Sequence, residues 1–182
     1  MINSAQLADA QIHRASRLAG CVAVVTGASS GIGRAIAVAL SRQGVQVCVV
    51  GRNPGTLAET VAAARQFSQV TSFHIDLTVP ENLRPLLQYL EEEAGRLDIL
   101  IHSAGVMHQD LMEHARLEDF DLQYATNVRA PYLVTAPAAV VDDRPWADRV
   151  YQLQRWVGGQ AARGGAIRRH QARLEGNRRQ RT

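Results

Sequence analysis

The run CVAVVTGASSGIGR, residues 21–34, joins a β-branched apolar hexapeptide directly to three glycines, Gly27, Gly31 and Gly33. Valine-rich runs of this length, with no polar alternation, suit a strand buried on both faces of a sheet. Gly27, just after Thr26, permits a tight turn. Gly31 removes a side chain where a ligand must come close, and Gly33 lets the following helix pack near the strand. Ser29, Ser30 and Ile32 fill the remaining loop positions, and the first turn of the helix offers unpaired N–H groups to an anion. The segment therefore predicts a strand, a backbone cradle for paired phosphates, and a helix.

Downstream, strand-like and helix-like stretches alternate to about residue 136, the pattern of βαβ units around a parallel sheet. Residues 32–43 carry Ile36, Ala37 and Leu40 at helical spacing and stop at Gly44; residues 45–50 form a second strand, and Pro54 starts a second helix. Residues 70–75 predict a third strand, and a helix from Pro80 runs through Leu90 to about Ala94. Residues 98–102 give a fourth strand, and 117–135 one long helix.

Past residue 136 the character changes to a Gly/Arg/Gln-rich stretch without apolar periodicity. Residues 1–136 hold ten Arg against thirteen acids, a net of −3, whereas 137–182 hold ten Arg against four acids, a net of +6. The chain's basicity thus belongs to its tail, where Asp142, Asp143 and Asp148 dilute the patch and argue against nucleic acid as a partner. No apolar run is long enough to span a membrane, and residues 1–20 lack a secretion signal, so a soluble protein is expected. Cys21 and Cys48, each in a strand-like run, read as free thiols and fit the cytoplasm. The six histidines show no metal-ligand spacing; His102, His108 and His114 are expected in solvated or capping roles, and no metal is expected.

The TGxxxGxG spacing at 26–33 resembles the short-chain dehydrogenase/reductase family, and further motifs follow in order. Asp76, with Leu77 behind it, matches the family's adenine-binding aspartate. Ala104 and Gly105 match the end of its Asn-Asn-Ala-Gly motif, here His102-Ser103-Ala104-Gly105. Asn127 matches an asparagine that steadies a proton-relay water at a bend in the long helix. The resemblance implies an α/β fold: an incomplete doubly wound Rossmann domain, a parallel sheet in three α/β/α layers, over residues 21–136. Residues 1–20 form an N-terminal arm and 137–182 a poorly ordered tail. It also implies NAD(P)-dependent oxidation or reduction of a small alcohol or ketone, in a homo-oligomer. At the end of the second strand, Arg52 stands where a carboxylate would select NAD, which favours NADP.

The family's chemistry needs a serine, a tyrosine and a lysine four residues beyond it, whose charge lowers the tyrosine pKa. The chain contains no lysine, so of the catalytic set only Asn127 survives. Codon degeneracy points to a cause. Displaced forward by one base, Pro137–Val141 can encode LLPLL and Trp146–Arg149 can encode GQIV. Val150–Gln154 can encode Tyr/Phe-Ile-Asn-Ser-Ser, and Ile167–Ala172 can encode YAATKH. One constant displacement restores a helix end, a strand, a serine and a YxxxK pair, which places a frame slip near Ala136. The alternative is a pseudoenzyme or sensor that binds a dinucleotide without chemistry.

Overall fold

The computed structural model describes residues 18–138, 141 and 150–152. Most of the expected N-terminal arm and Arg-rich tail lies outside the described residues. Five strands form one sheet in the order β3-β2-β1-β4-β5, all parallel: β1 Val22–Thr26, β2 Gln46–Gly51, β3 Val70–His74, β4 Ile99–His102 and β5 Val150–Gln152. Two helices, α1 Gly31–Arg42 and α2 Pro54–Ala64, connect the first three strands. The next crossover is a 3₁₀ turn Pro80–Leu83, helix α3 Arg84–Tyr89 and a π-turn Leu90–Ala94. After β4, α4 Leu117–Tyr124, a π-turn Ala125–Arg129 and α5 Ala130–Ala138 run on as one continuous helix.

Alternation along the strands builds three layers. Val22 and Val24 of β1, with Cys48 and Val50 of β2, face Leu86, Leu90 and the α5 residues Ala130 and Val134. Ala23 and Val25, with Val47, Val49, Ile99 and Ile101, face Ala37 of α1 and Leu57 of α2. Each residue of β1 is buried, which is why its sequence shows no polar alternation. Burying these side chains contributes roughly 25 cal/mol per Å² of apolar surface removed from water, the chief term holding the layers together. The fold is the doubly wound α/β arrangement, with strand order reversing between β1 and β4.

Local chemistry sets the departures from the expected elements. β3 stops at His74, which leaves Asp76 in the loop beyond it rather than at the strand's end. The helix expected from Pro80 is built in three pieces. It opens as a 3₁₀ turn, Pro85 occupies the second position of α3 where a missing N–H is harmless, and the π-turn closes at Gly95 with φ +62. The long helix extends to Ala138 and widens into its π-turn just before Pro131, which has no N–H to offer the Asn127 carbonyl. The sheet continues beyond β4, because Val150–Gln152 pair with Leu100–His102.

Candidate functional site

The carboxyl ends of β1, β2 and β4 converge where the strand order reverses, the place in open α/β sheets at which a crevice forms. Thr26, the last residue of β1, is 1 % exposed and works as a clamp. Its Oγ1 accepts from the Ser103 and Ala104 N–H groups, both at 3.2 Å, and donates to the Ile101 carbonyl at 3.3 Å. The hydroxyl thereby fixes the exit of β4 against the exit of β1.

Gly27 follows with φ +64, and a Cβ there would stand 2.6 Å from the Ala104 nitrogen, so both the turn and the close approach require glycine. At Gly31, φ is +55 and nothing lies within 4 Å of the Cβ position. The space in front of Gly31 is open. A Cβ at Gly33 would collide with the Gly27 carbonyl oxygen, so this glycine lets the loop fold back on itself. Ser30 is the extended N-cap of α1 but makes no side-chain cap, and the first turn contains no acidic residue. The helix therefore presents uncapped N–H groups and the positive end of its dipole to the open space. Ile32, 48 % exposed, lies in the same turn.

Two polar tethers hold this loop to α2. Arg34 Nη2 donates to the Ser29 carbonyl at 2.6 Å, the Thr56 carbonyl at 3.2 Å and Glu59 Oε2 at 2.9 Å. Thr60 Oγ1 donates to the Ala28 carbonyl at 2.9 Å. Ser29 Oγ is buried without a partner and packs where a Gly51 side chain would be. Beyond Gly51, Arg52 is exposed, and Asn53 Oδ1 caps α2 by accepting from Thr56 N at 3.1 Å. Asp76 Oδ1 accepts from the Thr78 hydroxyl at 2.7 Å and the Thr78 N–H at 2.9 Å. Those two bonds, side chain first, hold its carboxyl below the usual range, with a smaller contribution from the Arg52 charge. Leu77 is buried behind it.

On the other side of the crevice, Asn127 sits in the π-turn and grips the backbone of Val106: Oδ1 accepts from its N–H at 2.9 Å and Nδ2 donates to its carbonyl at 2.8 Å. A Cβ at Gly105 would stand 3.3 Å from Asn127 Oδ1. The expectation of a solvated or capping His102 is corrected: it is 5 % exposed, and Nε2 lies 2.9 Å from Thr135 Oγ1 of α5. Burial pushes its pKa down to about 4, so the imidazole is neutral near pH 7. His108 does lie in the loop, 3.4 Å from Asp119. No cluster of metal-ligating side chains occurs among the described residues, and no helix among them is long and apolar enough to cross a membrane.

Thus Thr26, Gly27, Ser29, Ser30, Gly31, Ile32 and Gly33 lie at one strand-to-helix junction, and Ala104 and Gly105 lie beside it at the end of β4. Arg52, Asp76 and Leu77 form the flank beyond β2 and β3, while Asn127 reaches the β4 exit from the long helix. From the sequence Thr26 was expected among the cofactor-binding residues, but its clamp between β1 and β4, Thr60 and the Arg34 tether were not. A threonine as the last residue of an otherwise valine-rich buried strand was the available signal for the first. The open space over Gly31, the uncapped helix end and the Cβ-excluding contact at Gly27 fit the diphosphate of a dinucleotide.

An uncapped helix end behind a glycine loop, at the switch point of a parallel sheet, defines a dinucleotide-binding α/β protein. Residues 21–143 match the short chain dehydrogenase family, and the chain belongs to it. This is an oxidoreductase family that binds NAD(P). Among curated relatives, an uncharacterised oxidoreductase of Staphylococcus saprophyticus is 37% identical over 110 residues, 59% of this chain and 47% of that protein. The chain spans about half the length of the curated relatives it matches. Among solved structures, L-sorbose reductase from Gluconobacter frateurii, complexed with NADPH and L-sorbose, superposes with a TM-score of 0.64 at 27% identity, covering 68% of this chain and 48% of its own. NAD⁺-bound xylitol dehydrogenase shares the fold with a TM-score of 0.64 at 24% identity, over 68% and 48% of the two chains.

Proposed function

We propose that the described core binds NADP(H), and that the chain derives from an oxidoreductase that moves hydride between this cofactor and an alcohol or ketone. The observation that carries the reading is the open space over Gly31 in front of the uncapped start of α1. There the N–H groups of the loop and first turn would hold the diphosphate, with Thr26 and Arg34 keeping the loop in shape. Asp76 and Leu77 would border the adenine. Arg52 favours the 2′-phosphate, since Gly51 and the cap-engaged Asn53 leave no carboxylate at the end of β2 to hold ribose hydroxyls instead. The cofactor supplies the hydride; the residues shown here bind and orient it.

We further propose that the chain as written holds the cofactor without turnover, because it has no lysine to complete a Ser-Tyr-Lys set. Residues beyond Ala136 are read as out of frame. The observation that supports this is that the family match stops at residue 143 of 182. The intact glycine loop also favours the second reading, a non-catalytic dinucleotide binder or sensor, which requires an unbroken reading frame.

Calorimetric titration of the chain with NADPH, together with a carbonyl-reduction assay, tests the binding claim. Saturable binding with no turnover is expected; absence of binding by folded protein overturns it. Sequencing the gene across codon 136 separates the two readings, since a frame unbroken relative to close relatives excludes the slip.

A further inference from the structure

Beyond the glycine loop, an open cleft of ≈ 540 Å³ lies between the exits of β2 and β3, lined by Arg52, His74, Asp76, Glu81, Asn82 and Pro85. Its charged groups come from three elements: Arg52 after β2, Asp76 after β3, and Glu81 in the 3₁₀ turn. One guanidinium, that of Arg52, shares the cleft with the two carboxylates, so a further positive charge there would strengthen its hold on a phosphate. His74 occupies the last position of β3, paired with Gly51, and its exposed ring contacts the Arg52 backbone carbonyl through Nε2. It is therefore fixed beside the one guanidinium in the cleft, and protonation of Nδ1 would leave the Nε2–H donor to that carbonyl in place.

We propose that His74 is a specificity-determining residue for the adenosine end of the dinucleotide: it positions Arg52 through its carbonyl and, when protonated, supplies the second positive charge that admits a 2′-phosphate. This rests on the reading of the crevice as a dinucleotide site. A ribose carrying only hydroxyls gains nothing from that charge. Discrimination in favour of NADPH over NADH is therefore larger with the protonated imidazole than with the neutral one. Salt weakens the effect, because the cleft is open to solvent.

The test is calorimetric titration of NADPH and NADH into the full chain at pH 6 and pH 8, for the parent, His74→Gln and His74→Arg. The phosphate's own titration is common to all three proteins, so the comparison isolates residue 74. The parent is expected to gain about two- to fivefold in its NADPH-to-NADH affinity ratio at pH 6 over His74→Gln, the range for one exposed charge pair. His74→Arg should hold the higher ratio at both pH values. Parallel pH profiles in all three proteins, with NADPH bound, overturn the role of His74 alone. Failure of folded protein to bind either nucleotide overturns the dinucleotide site and this inference together.

Discussion

Replacing His102 with asparagine removes a buried imidazole whose burial pushes its pKa down to about 4 from 6.5. In the unfolded chain the ring takes a proton below pH 6.5, while in the folded chain it stays neutral down to about pH 4. The unfolded state therefore binds more protons across that window. Above pH 6.5 the group contributes no pH dependence; between 6.5 and 4 the fold loses roughly 1.4 kcal/mol per pH unit, and below 4 the loss levels off. The total is about 3 kcal/mol, a large fraction of the stability of an ordinary domain. Urea unfolding at pH 7.5, 6, 5 and 4.5 for the parent and His102→Asn reads the effect. The variant should lose some stability at pH 7.5 with the Thr135 contact, yet fall less steeply on acidification. Equal slopes for the two proteins, or a His102 NMR titration midpoint near 6.5 in the folded parent, would refute the reasoning.

Gly27→Ala places a Cβ 2.6 Å from the Ala104 nitrogen on a backbone of φ +64, so a loss of roughly 2–4 kcal/mol in thermal or urea unfolding is expected, with NADPH binding abolished. Asn127→Ala removes both hydrogen bonds to Val106 and should cost about 1–3 kcal/mol by urea unfolding, without abolishing NADPH binding. Asp76→Ala removes two bonds from Thr78 and should lower stability at pH 7. Because its folded pKa lies below the unfolded value of 3.8, the parent's advantage should shrink only as pH falls below about 4, seen by comparing acid unfolding of the two proteins. Deleting one base near codon 136 should yield a chain with a YxxxK pair and measurable reduction of carbonyl compounds by NADPH, read by nicotinamide absorbance.

Much of the sheet was legible because its strands are buried on both faces. Val22–Val25 and Val47–Val50 are continuous apolar runs bounded by glycine, and such runs have few alternatives to a central parallel strand. The glycine loop was legible for a different reason, since steric exclusion at Gly27 and Gly33 leaves no other residue able to occupy those places. What escaped depended on tertiary partners. His102 reads as polar in sequence, but its burial is decided by Thr135, thirty-three positions later, which satisfies its nitrogen. The π-turn at Ala125–Arg129, where the resemblance implied a bend at Asn127 without its form, follows from Pro131 and the Asn127 grip on Val106, neither of which alters the spacing of apolar residues. β5 was unexpected because three residues are too short a run to stand out, whatever the β-propensity of Val150 and Tyr151; its pairing partner, β4, lies about fifty positions earlier.

A crystal structure of the chain with NADPH tests the central claim most directly. The diphosphate is expected over Gly31, within hydrogen-bond reach of the backbone N–H groups that open α1, and the adenosine directed toward Arg52 and Asp76. Nucleotide bound elsewhere, with solvent over Gly31, would contradict the claim.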